Sequence, residues 1–157
     1  MYFIDTSVLL NILQVPGWWD DTSTCADEFV RRQQSGALFV LPVTTLIETG
    51  NAIAQCNGDR RAAAQRFEKA IQLATAEQPP WIIRDVQWDS NFVSQMIAGD
   101  STGETMVDHF SHRSLGGGDL AILVERDQFR AATAYADVRI WTLDRNLVSR
   151  SEATQLS

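Results

Sequence analysis

The chain has 157 residues, 45% hydrophobic and 21% charged, the proportions of one folded domain, which excludes a disordered tail protein. Thirteen basic residues stand against 20 acidic ones for a net charge of −7, so broad electrostatic attraction to nucleic acid is excluded. Two cysteines, Cys25 and Cys56, fit neither a disulfide framework nor a zinc knuckle and read as buried thiols.

Taken in chain order, Tyr2-Phe3-Ile4 is a β-prone run that stops at Asp5, and Thr6 or Ser7 caps a helix through Leu13. Pro16-Gly17 ends it. Asp21 or Thr22 then opens a helix to Gln34, closed by Gly36, and Ala37 to Leu41 forms the next strand. Pro42 suits the start of a helix, with Thr44 or Thr45 as its cap. From Val43, Leu46, Ile47, Gly50, Ile53 and Ala54 recur at helical spacing, opposite a polar stripe of Thr44, Glu48, Asn51 and Gln55. After Asn57-Gly58, Asp59 starts a helix to about Ala76 that carries Arg60, Arg61, Arg66 and Lys69, the densest basic segment. Pro79-Pro80 stops it, and Trp81-Ile82-Ile83 reads as a further strand.

Residues 85–118 are the least legible, with a helix from Trp88 to Ala98 and a loop from Gly99 to Gly103. Asp108, His109 and His112 form D-H-x-x-H, which matches no zinc pattern and is assigned a loop or packing role. Three glycines then precede Asp119, which opens an apolar helix to about Ala134, and the last strand runs from Val138 to Leu143 and ends at Asp144. Strands alternating with helices predict an α/β domain, residues 1–157, with a mainly parallel central sheet of about four or five strands flanked by helices on both faces. The tail 149–157 is read as a flexible end. No apolar run reaches the roughly 20 residues of a membrane span, and a cytoplasmic location follows by default.

In open α/β sheets the reactive crevice lies beyond the C-terminal strand ends, where Asp5 and Asp144 both emerge. Asp119 and Glu48 start or enter helices that could join them there. Two carboxylates about 4 Å apart repel by roughly 4 kcal/mol at an effective dielectric near 20, so a convergent quartet needs protons or a divalent cation. Oxygen ligands with no convergent His or Cys set select Mg²⁺ or Mn²⁺, and metal-assisted phosphoryl hydrolysis follows. Taken singly, each acid also reads as a helix cap or part of a solvated face. A GxSxG elbow and a GK[ST] phosphate loop are both absent. Ser7 stands where a haloacid-dehalogenase-type phosphatase has its second Asp, and the only lysine, Lys69, is in a helix.

Together, Ile4-Asp5-Thr6-Ser7, Pro42-Val43-Thr44-Thr45-Leu46-Ile47-Glu48, Gly118-Asp119-Leu120-Ala121-Ile122-Leu123 and Trp141-Thr142-Leu143-Asp144-Arg145-Asn146 resemble the PIN domain, in particular the ribonuclease toxins of type II toxin–antitoxin systems. The resemblance implies an endoribonuclease with Asp5, Glu48, Asp119 and Asp144 as catalytic acids and one or two Mg²⁺ or Mn²⁺ ions. Asp5 and Asp119 are then the principal ligands, with Asp144 a further or water-bridged one. Glu48 orients water or transfers a proton. Ser7 and Thr142 hydrogen-bond the cluster or the substrate phosphate, and Asn51 shares the stripe of Glu48. RNA contacts fall to Arg60, Arg61 and Arg145, with Arg66, Lys69 and Arg113 as further candidates. The resemblance also implies an antitoxin protein partner and a homodimer, with Trp18-Trp19 at an interface or in the core. The competing class is a PIN-like module that binds RNA or protein without cleaving.

Overall fold

A computed structural model describes residues 1–18, 22–135 and 137–153. The elements are β1 (Tyr2–Ile4), α1 (Thr6–Ile12), α2 (Thr22–Gln34), β2 (Phe39–Val40), α3 (Val43–Gln55) and α4 (Arg60–Leu73). They are followed by α5 (Ser90–Ala98), α6 (Met106–His112), α7 (Gly117–Ala132), β3 (Arg139–Trp141) and α8 (Arg145–Ala153). Asp21 and Trp19 fall outside the described residues, as do 154–157.

The sheet has three parallel strands in the order β2-β1-β3, not the expected four or five, and helices dominate an architecture that is still α/β. Tyr2 pairs with Phe39 on one side and Arg139 on the other. The expected strand at Trp81-Ile82-Ile83 shrinks to one bridge, Val40 to Ile82, made by Leu41 N donating to Ile82 O at 2.8 Å and Ile82 N to Phe39 O at 3.0 Å. The physical reason is local. Pro79 and Pro80 offer no donors to extend the ladder, and Ile82 and Ile83 stay about 40% exposed with no layer over them. Only Trp81 is buried, its indole N–H donating to Ala70 O at 2.8 Å.

Alternation along the short strands divides the core in two. Ile4, Phe39 and Trp141 join one cluster with Val8, Leu9 and Leu10 of α1 and Ile53 of α3. Phe3, Val40 and Ile140 face the other way, onto Leu120, Ile122, Leu123 and Phe129 of α7. Both faces of the sheet are therefore covered, and the C-terminal ends of β1 and β3 open onto one edge. Cys25 and Cys56 are buried and form no disulfide.

Several helix ends differ from expectation. Thr44 and Thr45 do not cap α3; Pro42 takes the cap position, and the buried Thr45 hydroxyl donates to Ile4 O at 2.8 Å, tying α3 to the end of β1. In α7, Gly116 holds the cap position and Asp119 sits three residues in. Helix α6 was not expected: it carries the Asp108–His112 motif assigned a loop or packing role, and it is held by a reciprocal Thr105–Asp108 capping box. The C-terminal segment continues as α8 to Ala153.

Candidate functional site

Asp5 follows β1 at once and caps α1, because its carboxylate reaches back to the free N–H of Ser7 at 3.2 Å. The same oxygen, Oδ2, accepts from the Ser7 hydroxyl at 2.5 Å and from the Thr142 hydroxyl at 2.8 Å. Thr142 Oγ1 in turn accepts from Asp144 N at 2.9 Å, and Ser7 Oγ accepts from Leu143 N at 2.9 Å. Two hydroxyls thus link the end of β1 to the end of β3 at Asp5. Asp5 is buried, at 7% exposure.

Glu48 enters from α3. Its Oε2 accepts from the Thr6 hydroxyl at 2.6 Å, and its carboxyl lies against the backbone of Gly118. A Cβ at Gly118 would come within 2.0 Å of Glu48 Oε1. The glycine before Asp119 is therefore needed for space, since α3 and α7 meet here carboxylate to backbone.

Asp119 Oδ2 accepts from Gly116 N at 2.6 Å. Its carboxyl is raised to about 6, chiefly by burial, opposed by the Gly116 N–H, with the negative charges of Asp5, Asp144 and Glu48 adding to the rise. Asp144 is exposed and caps α8, its Oδ1 accepting from Asn146 N at 2.7 Å and Leu147 N at 3.4 Å. The four acids come from β1, α3, α7 and the turn after β3, and they feel one another at Asp119.

Each acid is held through one oxygen. Among the described residues, the chain donates to Oδ2 of Asp5, Oε2 of Glu48, Oδ2 of Asp119 and Oδ1 of Asp144, and the second oxygen of each accepts no hydrogen bond. That suits an outside cation, with the donors fixing each carboxylate as an outer shell does in metal sites. The spacing sets a limit. Among the described residues no three of the quartet bring ligand atoms within 4.8 Å of one another; the set that does is Asp100, Glu104 and His109. Direct ligation of one ion by Asp5, Asp119 and Asp144 together, with bonds near 2.1 Å, does not fit this arrangement. A hydrated Mg²⁺ held directly by one or two carboxylates and through water by the rest does fit.

The other candidates divide. Asn51 is exposed on α3 one turn after Glu48, and Arg145 is exposed beside Asp144. Arg60 and Arg61 are exposed at the start of α4, and Arg113 is exposed just after α6. Arg66 is committed elsewhere: its guanidinium donates to Leu13 O at 2.6 Å and Gln14 O at 3.0 Å, closing the C-terminal end of α1. Trp18 is 52% exposed. In D-H-x-x-H only His109 is buried, and its partners are not the two other members of that motif but Asp100, Glu104 and Ser114. Sequence reasoning missed Asp100 and Glu104; the nearest signal was the pair Gly99 and Gly103, both at positive φ, which shape the loop that brings them to α6. Among the described residues no helix is long and apolar enough to cross a membrane. No family model, no curated protein and no solved structure matches the chain.

Proposed function

We propose that the chain is a metal-dependent ribonuclease of the PIN type, in the toxin role that its four resembling segments imply, with Asp5, Glu48, Asp119 and Asp144 as its acids. The observation that carries this reading is the charge shared at Asp119. Four carboxylates from four separate elements sit close enough that three of them raise the proton affinity of the fourth, each with an oxygen that accepts from no donor among the described residues. Four helix caps arising independently would not need to gather, and gathering them costs stability unless a cation compensates.

In this reading Asp5 and Asp119 would hold Mg²⁺ or Mn²⁺, with Asp144 as a further ligand. The cation supplies positive charge for the phosphate as negative charge builds up on it during cleavage. Glu48, fixed by Thr6 through Oε2, keeps Oε1 to take a proton from attacking water. Ser7 and Thr142 orient Asp5 through its Oδ2. Arg145, next to Asp144, and Arg60 and Arg61 supply phosphate contacts on a surface whose net charge is otherwise repulsive to RNA.

The test is calorimetric titration of Mn²⁺ into the wild type and Asp119→Asn, followed by cleavage of a mixed RNA pool with and without the metal. Saturable binding lost in the variant, together with metal-dependent cutting that Asp5→Asn abolishes in a folded protein, is the expected result. A folded wild type that neither binds Mn²⁺ nor cuts RNA overturns the proposal and leaves the binding module.

A further inference from the structure

Away from the acidic edge, the loop after α5 and the helix α6 enclose a second polar cluster. His109 is fully buried, and its Nδ1 lies 2.8 Å from Ser114 Oγ. With Nδ1–H donated to that hydroxyl, Nε2 is left as a bare lone pair. It faces Asp100 Oδ2 at 3.3 Å, and Glu104 Oε2 completes a set whose ligand atoms lie within 4.8 Å of one another. Asp100 Oδ2, Glu104 Oε2 and His109 Nε2 are all buried, and none makes an aligned hydrogen bond.

Asp100 Oδ2 stands against Nε2 and Glu104 Oε2 lies 3.7 Å from Nδ1, so two carboxylate oxygens flank one buried ring and positive charge belongs among them. Arg150 of α8 supplies part of it, with Nη2 at 2.5 Å from Glu104 Oε2 and Nη1 at 3.7 Å from Asp100 Oδ2. It leaves His109 Nε2 untouched. A proton on Nε2 would bond Asp100 only if the ring N–H pointed at Oδ2, and the contact lies off that line despite its length. An oxygen off the lone-pair axis at this separation is instead the edge of a tetrahedron. Two ligands at about 2.1 Å from a common cation stand about 3.4 Å apart, close to the observed 3.3 Å.

We propose that Asp100, Glu104 and His109 form a binding site for a divalent transition-metal ion of the zinc class, separate from the acidic edge. One imidazole with two carboxylates favours zinc over magnesium, since the nitrogen is a poor ligand for the harder ion. The Nδ1 hydrogen bond to Ser114 is the outer contact that orients a ligating imidazole. Arg150 is the competitor: its long side chain withdraws from Glu104 as the ion enters, and Glu104, whose side chain is 37% exposed, closes the remaining gap. The bound ion joins the loop 99–105 to α6, the segment that has the least sheet to hold it.

The full-length chain carrying Asp119→Asn, which disables the acidic edge, is titrated with Co²⁺ and followed by visible absorption, with Zn²⁺ added last to displace it. One equivalent of Co²⁺ is expected to bind with a d–d band that Zn²⁺ bleaches. His109→Gln is expected to weaken binding by more than the roughly 10- to 100-fold that losing an outer contact costs, and Glu104→Gln, at a partly exposed side chain that the fold tolerates, gives the same direction should His109→Gln not fold. Arg150→Gln is expected to tighten binding about tenfold by removing the competing cation. No Co²⁺ band in either the Asp119→Asn protein or its Arg150→Gln derivative overturns the proposal, as does a band that survives Glu104→Gln unchanged.

Discussion

Replacing Gly118 with alanine tests how the acidic edge is built without touching any acid. The new Cβ would stand 2.0 Å from Glu48 Oε1 and 2.5 Å from its Cδ, so the carboxylate must swing away and release the Thr6 hydroxyl. Losing that bond to a charged acceptor costs about 1.5–3 kcal/mol, and alanine in place of glycine within a helix returns roughly 0.5–1 kcal/mol. The net loss of about 0.5–2.5 kcal/mol corresponds to a fall in Tm of about 1–10 °C for a chain of this size, which leaves the protein folded. Activity should suffer far more, because a displaced proton acceptor forfeits about 100-fold or more in rate. Gly117→Ala is the control: a Cβ there meets nothing within 4 Å. Thermal melting and Mn²⁺-dependent RNA cleavage of both variants are measured side by side. Equal cleavage by Gly118→Ala and Gly117→Ala would refute the placement of Glu48 in the chemistry.

Asp119 gives a pH signature. Its folded pKa of about 6 exceeds the unfolded value of 3.8, so its favourable contribution is present below about pH 4 and is lost as pH rises through 6. In metal-free protein, urea titrations should show Asp119→Asn gaining on the wild type across that window by up to about 3 kcal/mol, and identical pH profiles would sink the assignment. Metal affinity should move oppositely, weakening as pH falls below about 6 and Asp119 takes up its proton. Asp144→Ala removes the cap of α8 and should cost about 1 kcal/mol in chemical denaturation, whereas Asp144→Asn keeps the cap; both should lose cleavage if the charge acts on the cation. Arg66→Gln should lower stability by about 1–2 kcal/mol with cleavage per folded molecule unchanged, while Arg60→Gln with Arg61→Gln should leave stability unchanged and flatten the salt dependence of RNA binding.

Three of the four proposed acids sit where the chain changes direction, while Glu48 lies within α3 and was marked only by its polar stripe. Asp5 ends an apolar run, Asp144 ends another, and Asp119 follows a glycine triplet, so local grammar marks them. The sheet was overread for a related reason: Trp81-Ile82-Ile83 has strand composition, yet composition does not say whether a covering layer exists, and two of the three residues have none. Helix α6 escaped because it has seven residues and exposes Val107 and Phe110, which blurs any 3.6-residue period. Its Thr105-x-x-Asp108 box was the readable sign. The Asp100, Glu104 and His109 cluster was hidden by the contacts that create it, since a loop carboxylate and a helical imidazole nine residues apart declare nothing until the loop folds back. The spacing of the quartet, wider than direct ligation by three acids requires, is likewise a matter of three dimensions.

The order of the strands governs when the acidic edge comes into being. β1 is made first and lies in the middle of the sheet, so it waits for β2 and then for β3 before either flank is paired. The Thr142 hydroxyl that fixes Asp5 is synthesised 137 residues after it. A chain emerging from the ribosome therefore holds Asp5 without its hydroxyl clamp and lacks Asp144 altogether until nearly all of this sequence has been made. If the proposed cleavage of RNA holds, the wait separates manufacture from activity, because the chain is still being translated while its cluster is in pieces.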